Sequence, residues 1–218
     1  MSRKIDVYTI EELKKQFPDA YDKAYEEFKK DISNDPYLPW QEEIMGSMKA
    51  IIKHSGFTLR DWEIGAYCYS SVKIEYLDTY IPIIDEDGFE TEEEDRVDVG
   101  ELCGKDAKKY IFDALDIKSA KKVFFEYDGK KHHRWDAIQK NGKDWSCELT
   151  GVCFDHDFLH HILDELESGE TIADAYRGLA DVARKLFEDE YESQLTEEYF
   201  LEEASNNNYE YTEEGDRI

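Results

Sequence analysis

DWEIGAYCYSSVKIEYL, residues 61–77, is where the chain changes period. Before it, apolar residues recur every three or four positions. Within it, aromatic and β-branched residues crowd together, and Trp62, Ile64, Ala66 and Cys68 fall on alternate positions. A period of two belongs to a strand, because successive side chains point to opposite faces. The stretch predicts two strands, a hairpin turning near Ser70–Ser71. IPII (81–84) predicts a third. KKVFFEYDGKKHHRWDAIQ (121–139) and DWSCELTGVCF (144–154) predict further antiparallel strands, with turns at Asp128–Gly129 and Asn141–Gly142.

Working outward from these strands, both flanks read as helix. After a short strand in KIDVY (4–8), Thr9 with Glu12 forms a capping box, and Leu13 and Phe17 continue the apolar stripe. Pro18 suits a first helical turn, where its missing N–H is no loss. Ala20, Ala24, Tyr25 and Phe28 share one face of the helix it opens, and Trp40, Ile44, Met48, Ile51 and Ile52 mark another helix, closed by Gly56. DAKKYIFDALD (106–116) is a short helix between strands. Towards the end, Phe158, Leu159, Ile162, Leu163 and Leu166 form one apolar face, stopped by Gly169. Thr171 with Asp174 caps a longer helix carrying Ile172, Ala175, Leu179, Val182, Leu186 and Phe187, and Thr196 starts a last one. The expected fold class is α+β: an antiparallel sheet with helices at the N- and C-terminal ends packed against it. No linker-like segment interrupts the 218 residues, so a single domain, 1–218, is expected.

Charge is zoned. The formal net charge is −26: −3 over residues 1–77, −10 over 78–117, +3 over 118–154 and −16 over 155–218. An acidic loop is expected near 85–98, and an acidic helical part over 155–218. Such a field repels nucleic acid and anionic membranes and attracts basic protein surfaces. The expectation is therefore a basic protein partner, with no direct nucleic acid and no membrane. Cys68, Cys103, Cys147 and Cys153 match no zinc or disulfide framework, and MSRKIDVYTI lacks the apolar run of a signal peptide. A cytoplasmic protein with reduced thiols is expected.

The candidate partner-binding residues are Glu188, Asp189, Glu190, Tyr191, Glu192, Glu197, Glu198, Tyr199, Glu202 and Glu203. A helix rises about 1.5 Å per residue. With acids at half its positions it approaches the charge density of B-DNA, about one per 1.7 Å of axis. Tyr209 and Tyr211 would add contact area. The bland alternative is a solvated helix face. Like charges four residues apart weaken a helix, so so many of them suggest a use.

Elsewhere the signals are weaker. CFDHDFLHHILDE (153–165) sets His156 and His160, and Asp157 and His161, four apart on a helix, with Cys153 and Cys147 nearby. That resembles part of a zinc site but lacks a CxxC pair and the HExxH glutamate. Partly buried histidines explain the same pattern, so no metal ligands are assigned and no cofactor is expected. KKHHRW (130–135) is the one basic island, suited to an acidic partner or to the acidic terminus of a second copy in a homodimer. No phosphate-binding glycine loop, GxSxG or Walker motif is present, so no catalytic residues are assigned.

AYDKAYEEFKKDI, PWQEEIMGSMKAIIKHSGFTL and the terminal FEDEYESQLTEEYFLEEASNNNYEYTEEGDRI resemble a family of small acidic proteins of tailed phages and prophages, some labelled antitoxin-like. The resemblance covers the two ends. In the middle, DWEIGAYCYSSVKIEY stands where that family has a glycine-rich segment. It implies a phage setting and no catalytic residues. The expected function is a non-enzymatic, anti-CRISPR-like inhibitor that fills a basic groove of a host nucleic-acid-handling defence protein, as a nucleic-acid mimic. Two alternatives stand beside it. One is an antitoxin-like partner of a cognate toxin; the other is a zinc-binding domain or metal-dependent enzyme using Cys153, His156 and His160.

Overall fold

A computed structural model describes residues 6–34, 40–64, 71–76, 80–81, 97–145 and 147–218. The chain is α+β, with antiparallel strands in its middle and helices at both ends. Where the missing linker led to an expectation of one domain, the chain forms two compact units, residues 1–39 with 187–218 and residues 40–186. α7 (Leu179–Gln194) spans the boundary at residues 186–187.

In the first unit, α1 (Ile10–Gln16) opens with the expected capping box. The Thr9 hydroxyl accepts from the Glu12 N–H at 3.3 Å, and the Glu12 carboxylate accepts from the Thr9 N–H at 2.9 Å. Pro18 begins α2 (Pro18–Asn34). α8 (Glu197–Asn206) and Tyr211 supply the other side of the core. Ile10, Leu13, Tyr21, Ala24 and Phe28 pack with Phe200, Ala204 and Tyr211, all buried. Burying a large apolar side chain contributes about 1.5–3 kcal/mol, so this small cluster is what closes the unit. The last residues are part of it. Tyr8 and Tyr211 exchange backbone hydrogen bonds at 2.9 and 3.0 Å, and the Ile218 N–H donates to the Glu210 carbonyl at 2.9 Å. The strand expected over 4–8 is reduced to that single bridge at Tyr8, its first two residues lying outside the described ones.

The second unit runs α3 (Gln41–His54), β1 (Phe57–Glu63), β2 (Ser71–Tyr76), β3 (Tyr80–Ile81), β4 (Val97–Asp98), α4 (Gly104–Ala114), β5 (Ile117–Tyr127), β6 (Lys130–Gln139), β7 (Asp144–Trp145), α5 (Phe154–Ser168) and α6 (Ile172–Arg177), then the start of α7. The 61–77 stretch is the expected antiparallel pairing, β1 with β2, although β1 begins earlier, at Phe57. The Ser70 side of its turn and residues 85–96 of the acidic loop lie outside the described residues. β5, β6 and β7 form an antiparallel sheet in that order. Asp128 and Gly129 turn β5 into β6 with φ of 50° and 68°, the doubly left-handed pair that matches strand twist in a two-residue hairpin. The core lies between α3, α5 and α6, with Ile44, Met48, Ile51, Phe158, Leu159, Ile162, Tyr176 and Trp145 buried.

Two elements differ from the sequence reading. Among the described residues of 144–154, only Asp144–Trp145 are strand. Residues 147–153 are turns and bends wound around the fully buried Asp155, whose carboxylate accepts from the Leu149 and Thr150 N–H groups at 2.8 and 2.9 Å and from the Thr150 hydroxyl at 2.9 Å. A charged acceptor of three bonds outcompetes a ladder, as short polar side chains near turns do. The long helix expected after Thr171 is two, α6 and α7, divided at Gly178. The His161 imidazole fills the space there and takes the Ala175 carbonyl at 3.1 Å, a helical acceptor otherwise.

Candidate functional site

The acidic residues singled out above all lie in the first unit, but the fold uses them unequally. Glu197 accepts from Lys14 Nζ and from the Tyr21 hydroxyl, each at 2.8 Å, which holds its carboxyl below the ordinary range. Burial, then Glu197 itself, pushes the Tyr21 phenol up. Glu203 is half-buried and accepts from Asn207 at 2.8 Å; Glu188 and Glu190 are half-buried. Asp189 and Glu192 on α7, and Glu198 and Glu202 on α8, are exposed, with no cation against them among the described residues. Spacings of three and four residues put each pair on one helix face.

The tyrosines are mostly structural. Tyr191 and Tyr199 are half-buried; the first donates to the Ser33 hydroxyl at 3.0 Å and the second lies 6.2 Å from the Phe28 ring. Arg217 sits over the half-buried Tyr209. Tyr211, expected to offer contact area, is 3% exposed and belongs to the core, because its backbone pairs with Tyr8.

Four of the six described basic side chains of this unit are paired with its own acids. Lys14 reaches Glu197, Lys23 reaches Asp216, Lys29 reaches Glu26, and Arg217 reaches Asp31 at 4.0 Å. Residues 1–39 and 187–218 together carry 21 acids and 8 bases, so most of the remaining charge on this unit is carboxylate.

The second unit holds a histidine cluster that period and spacing only half revealed. The Gln139 N–H donates to Lys143 on the β7 side of β6. Backbone groups two residues apart point to the same edge. The Trp135 and His133 carbonyls therefore face that edge too, where β7 no longer reaches. α5 serves it instead: His156 Nε2 donates to the Trp135 carbonyl at 3.0 Å and His160 Nε2 to the His133 carbonyl at 3.2 Å. A carbonyl only accepts, so both rings carry their proton on Nε2. One turn on, Asp164 gathers donors: Lys122 Nζ at 2.9 Å and Trp135 Nε1 at 3.0 Å on Oδ1, and His133 Nε2 at 2.8 Å on Oδ2. Burial raises this carboxyl, but the hydrogen bonds from Lys122, His133 and Trp135 outweigh it and hold the pKa near about 2. Burial lowers His160, against the pull of Asp164.

The zinc set considered from the sequence, Cys153, His156 and His160, is not what comes together. Cys153 lies with Cys147, their Sγ atoms 3.7 Å apart, in a groove of about 510 Å³ lined also by Arg134, Trp145, His156 and Asp157. His160 instead joins His133 and Asp164, the one group of three ligating side chains among the described residues. His133 and Asp164 were missed because one is on a strand and one on a helix. The available signal was the four-residue spacing of His160 and Asp164.

The basic island lies on an exposed arm. Beyond Lys122 the β5–β6 hairpin shows Phe124 (57% exposed), Phe125 and Tyr127, with Lys131 over the Phe124 ring and His132 stacked on Phe125. No helix among the described residues is long and apolar enough to cross a membrane. Comparison with protein-family models, with curated proteins and with solved structures finds no match to the chain.

Proposed function

We propose that the chain acts by binding rather than by catalysis, as an acidic inhibitor that fills the basic groove of a nucleic-acid-handling host protein. The observation that supports this reading is the charge left over when the first unit folds. Four of its described cations are drawn onto Glu197, Asp216, Glu26 and Asp31, while Asp189, Glu192, Glu198 and Glu202 stay exposed on helices. A folded display of like charge destabilises the compact state and steers a positively charged partner at long range. The phage setting, and a CRISPR effector as the target, rest on the resemblance of the two ends alone.

The test is capture of a host protein by the tagged chain, eluted with salt and challenged with DNA or RNA. The expected partner is a nucleic-acid-binding protein that leaves at moderate salt and is competed by nucleic acid. Reversing Asp189, Glu192, Glu198 and Glu202 to Lys should abolish capture without loss of helix by circular dichroism. Capture that ignores salt, nucleic acid and the reversal would return these acids to a solvating role. Glu197 is left out of the set, because it is tied to Lys14 and Tyr21.

A further inference from the structure

We propose that His133, His160 and Asp164 form a zinc site between β6 and α5, with His133 Nε2, His160 Nδ1 and Asp164 Oδ2 as ligands. The site lies in the second unit and is independent of the acidic face.

The geometry carries the argument. One donor atom of each residue lies within 4.8 Å of those of the other two. Asp164 Oδ2 is 2.8 Å from His133 Nε2 and 3.5 Å from His160 Nδ1. The orientation of His160 is the telling feature. Its Nε2–H is committed to the His133 carbonyl, so its Nδ1 lone pair is turned towards a carboxylate oxygen. A neutral His160 would therefore set two acceptors 3.5 Å apart, an arrangement relieved by a positive centre between them, either a proton on Nδ1 or a metal ion. A ligating histidine usually donates its other ring N–H to a carbonyl or carboxylate, which fixes the tautomer, and His160 already does so. The ligating carboxylate is oriented in the same way: Lys122 and Trp135 hold Asp164 through Oδ1 and leave Oδ2 towards the histidines.

The donor set chooses the metal. Two imidazoles and one carboxylate oxygen suit a borderline ion such as Zn²⁺. Ca²⁺ and Mg²⁺ need several oxygens, and Lys122 occupies the second oxygen of Asp164. All three side chains are between a quarter and a third exposed, so water can reach a fourth position.

The experiment is calorimetric titration of the full-length chain, stripped with a chelator and kept reduced, with ZnCl₂ and separately with MgCl₂. The expected result is one zinc per chain and no heat with magnesium. His160→Gln, which can still donate to the His133 carbonyl, and His133→Gln should each weaken zinc by about 100-fold or more. Cys147→Ser with Cys153→Ser should bind zinc as the unaltered chain does. A long-range ¹H–¹⁵N histidine spectrum of the unaltered protein avoids any folding defect of the variants. On adding zinc it should shift His160 Nδ1 and His133 Nε2 and leave His156 in place. No stoichiometric binding, or binding lost in the serine pair and kept in His160→Gln, would overturn the proposal.

Discussion

His161 occupies the space that a side chain on Gly178 would need. A Cβ built on Gly178 would lie 2.3 Å from His161 Nε2, and that nitrogen donates to the Ala175 carbonyl three residues before the glycine. The imidazole thus supplies a helix end from another helix, and the missing side chain makes room for it. Gly178→Ala should destabilise the protein by about 1–3 kcal/mol, the usual result of overpacking. In a His161→Ala background the same change should cost much less, since contacting residues couple. Denaturant unfolding of the four proteins measures this, and equal costs in both backgrounds would refute the steric account.

Asp155 organises the segment that was expected to be a strand. It is fully buried and accepts three hydrogen bonds from Leu149 and Thr150. Bonds to a charged group contribute about 1.5–3 kcal/mol each at most, and the partly exposed donors can turn to water. Asp155→Ala should therefore lower stability by about 2–3 kcal/mol, read from urea unfolding. Glu148→Ala, on an exposed neighbour, should be silent.

Asp164 makes the metal-free protein sensitive to acid. Its carboxyl is held at about 2, against an ordinary value of 3.8. A depressed acid stabilises the fold fully above the unfolded value and loses that contribution as pH falls through the folded one. Stability should drop between about pH 4 and pH 2, and Asp164→Asn should flatten that part of the profile. Thermal unfolding at stepped pH provides the check.

Glu197 and Glu198 are neighbours with opposite roles. The first ties Lys14 of α1 and Tyr21 of α2 to α8; the second is exposed. Glu197→Ala should lower the Tm and leave Glu198→Ala near the unaltered protein. If partner capture is lost in Glu198→Ala with Tm unchanged, binding and folding are separated within one helical turn.

Cys147 and Cys153 hold their sulfurs 3.7 Å apart, and a disulfide needs about 2.05 Å. A mild oxidant such as diamide should close this pair with little backbone movement. Mass spectrometry should show the loss of two hydrogens and one linked peptide, with Cys103 unmodified by it.

Much of the fold was legible in the residues themselves. Thr9 with Glu12, Pro18 and the Asp128–Gly129 turn are local devices, decided by neighbours in sequence, and each appears where the pattern placed it. The 61–77 stretch does hold β2 and the end of β1, which pair there, although β1 starts before the period change and Ala66 and Cys68 of the alternating set lie outside the described residues. The failures turn on burial and packing, which the local pattern does not carry, whether the partner is five or six residues away, as for Asp155, or fourteen, as for His161 and Ala175. Nothing near Gly178 announces His161, and nothing in 147–154 shows that Asp155 will be buried beneath it.

The candidate sites divide in the same way. Composition alone determined that the chain would carry a large acidic excess, concentrated in its last residues, because charge does not depend on folding. Only tertiary structure decided which acids stay exposed: Glu197 is drawn to Lys14 from a distance of 183 residues, while Asp189, Glu192, Glu198 and Glu202 are left exposed. It also decided that His160 joins His133 and Asp164 rather than Cys153. Helical spacing sets which side chains share a face, but the strand edge beside that face selects what they meet.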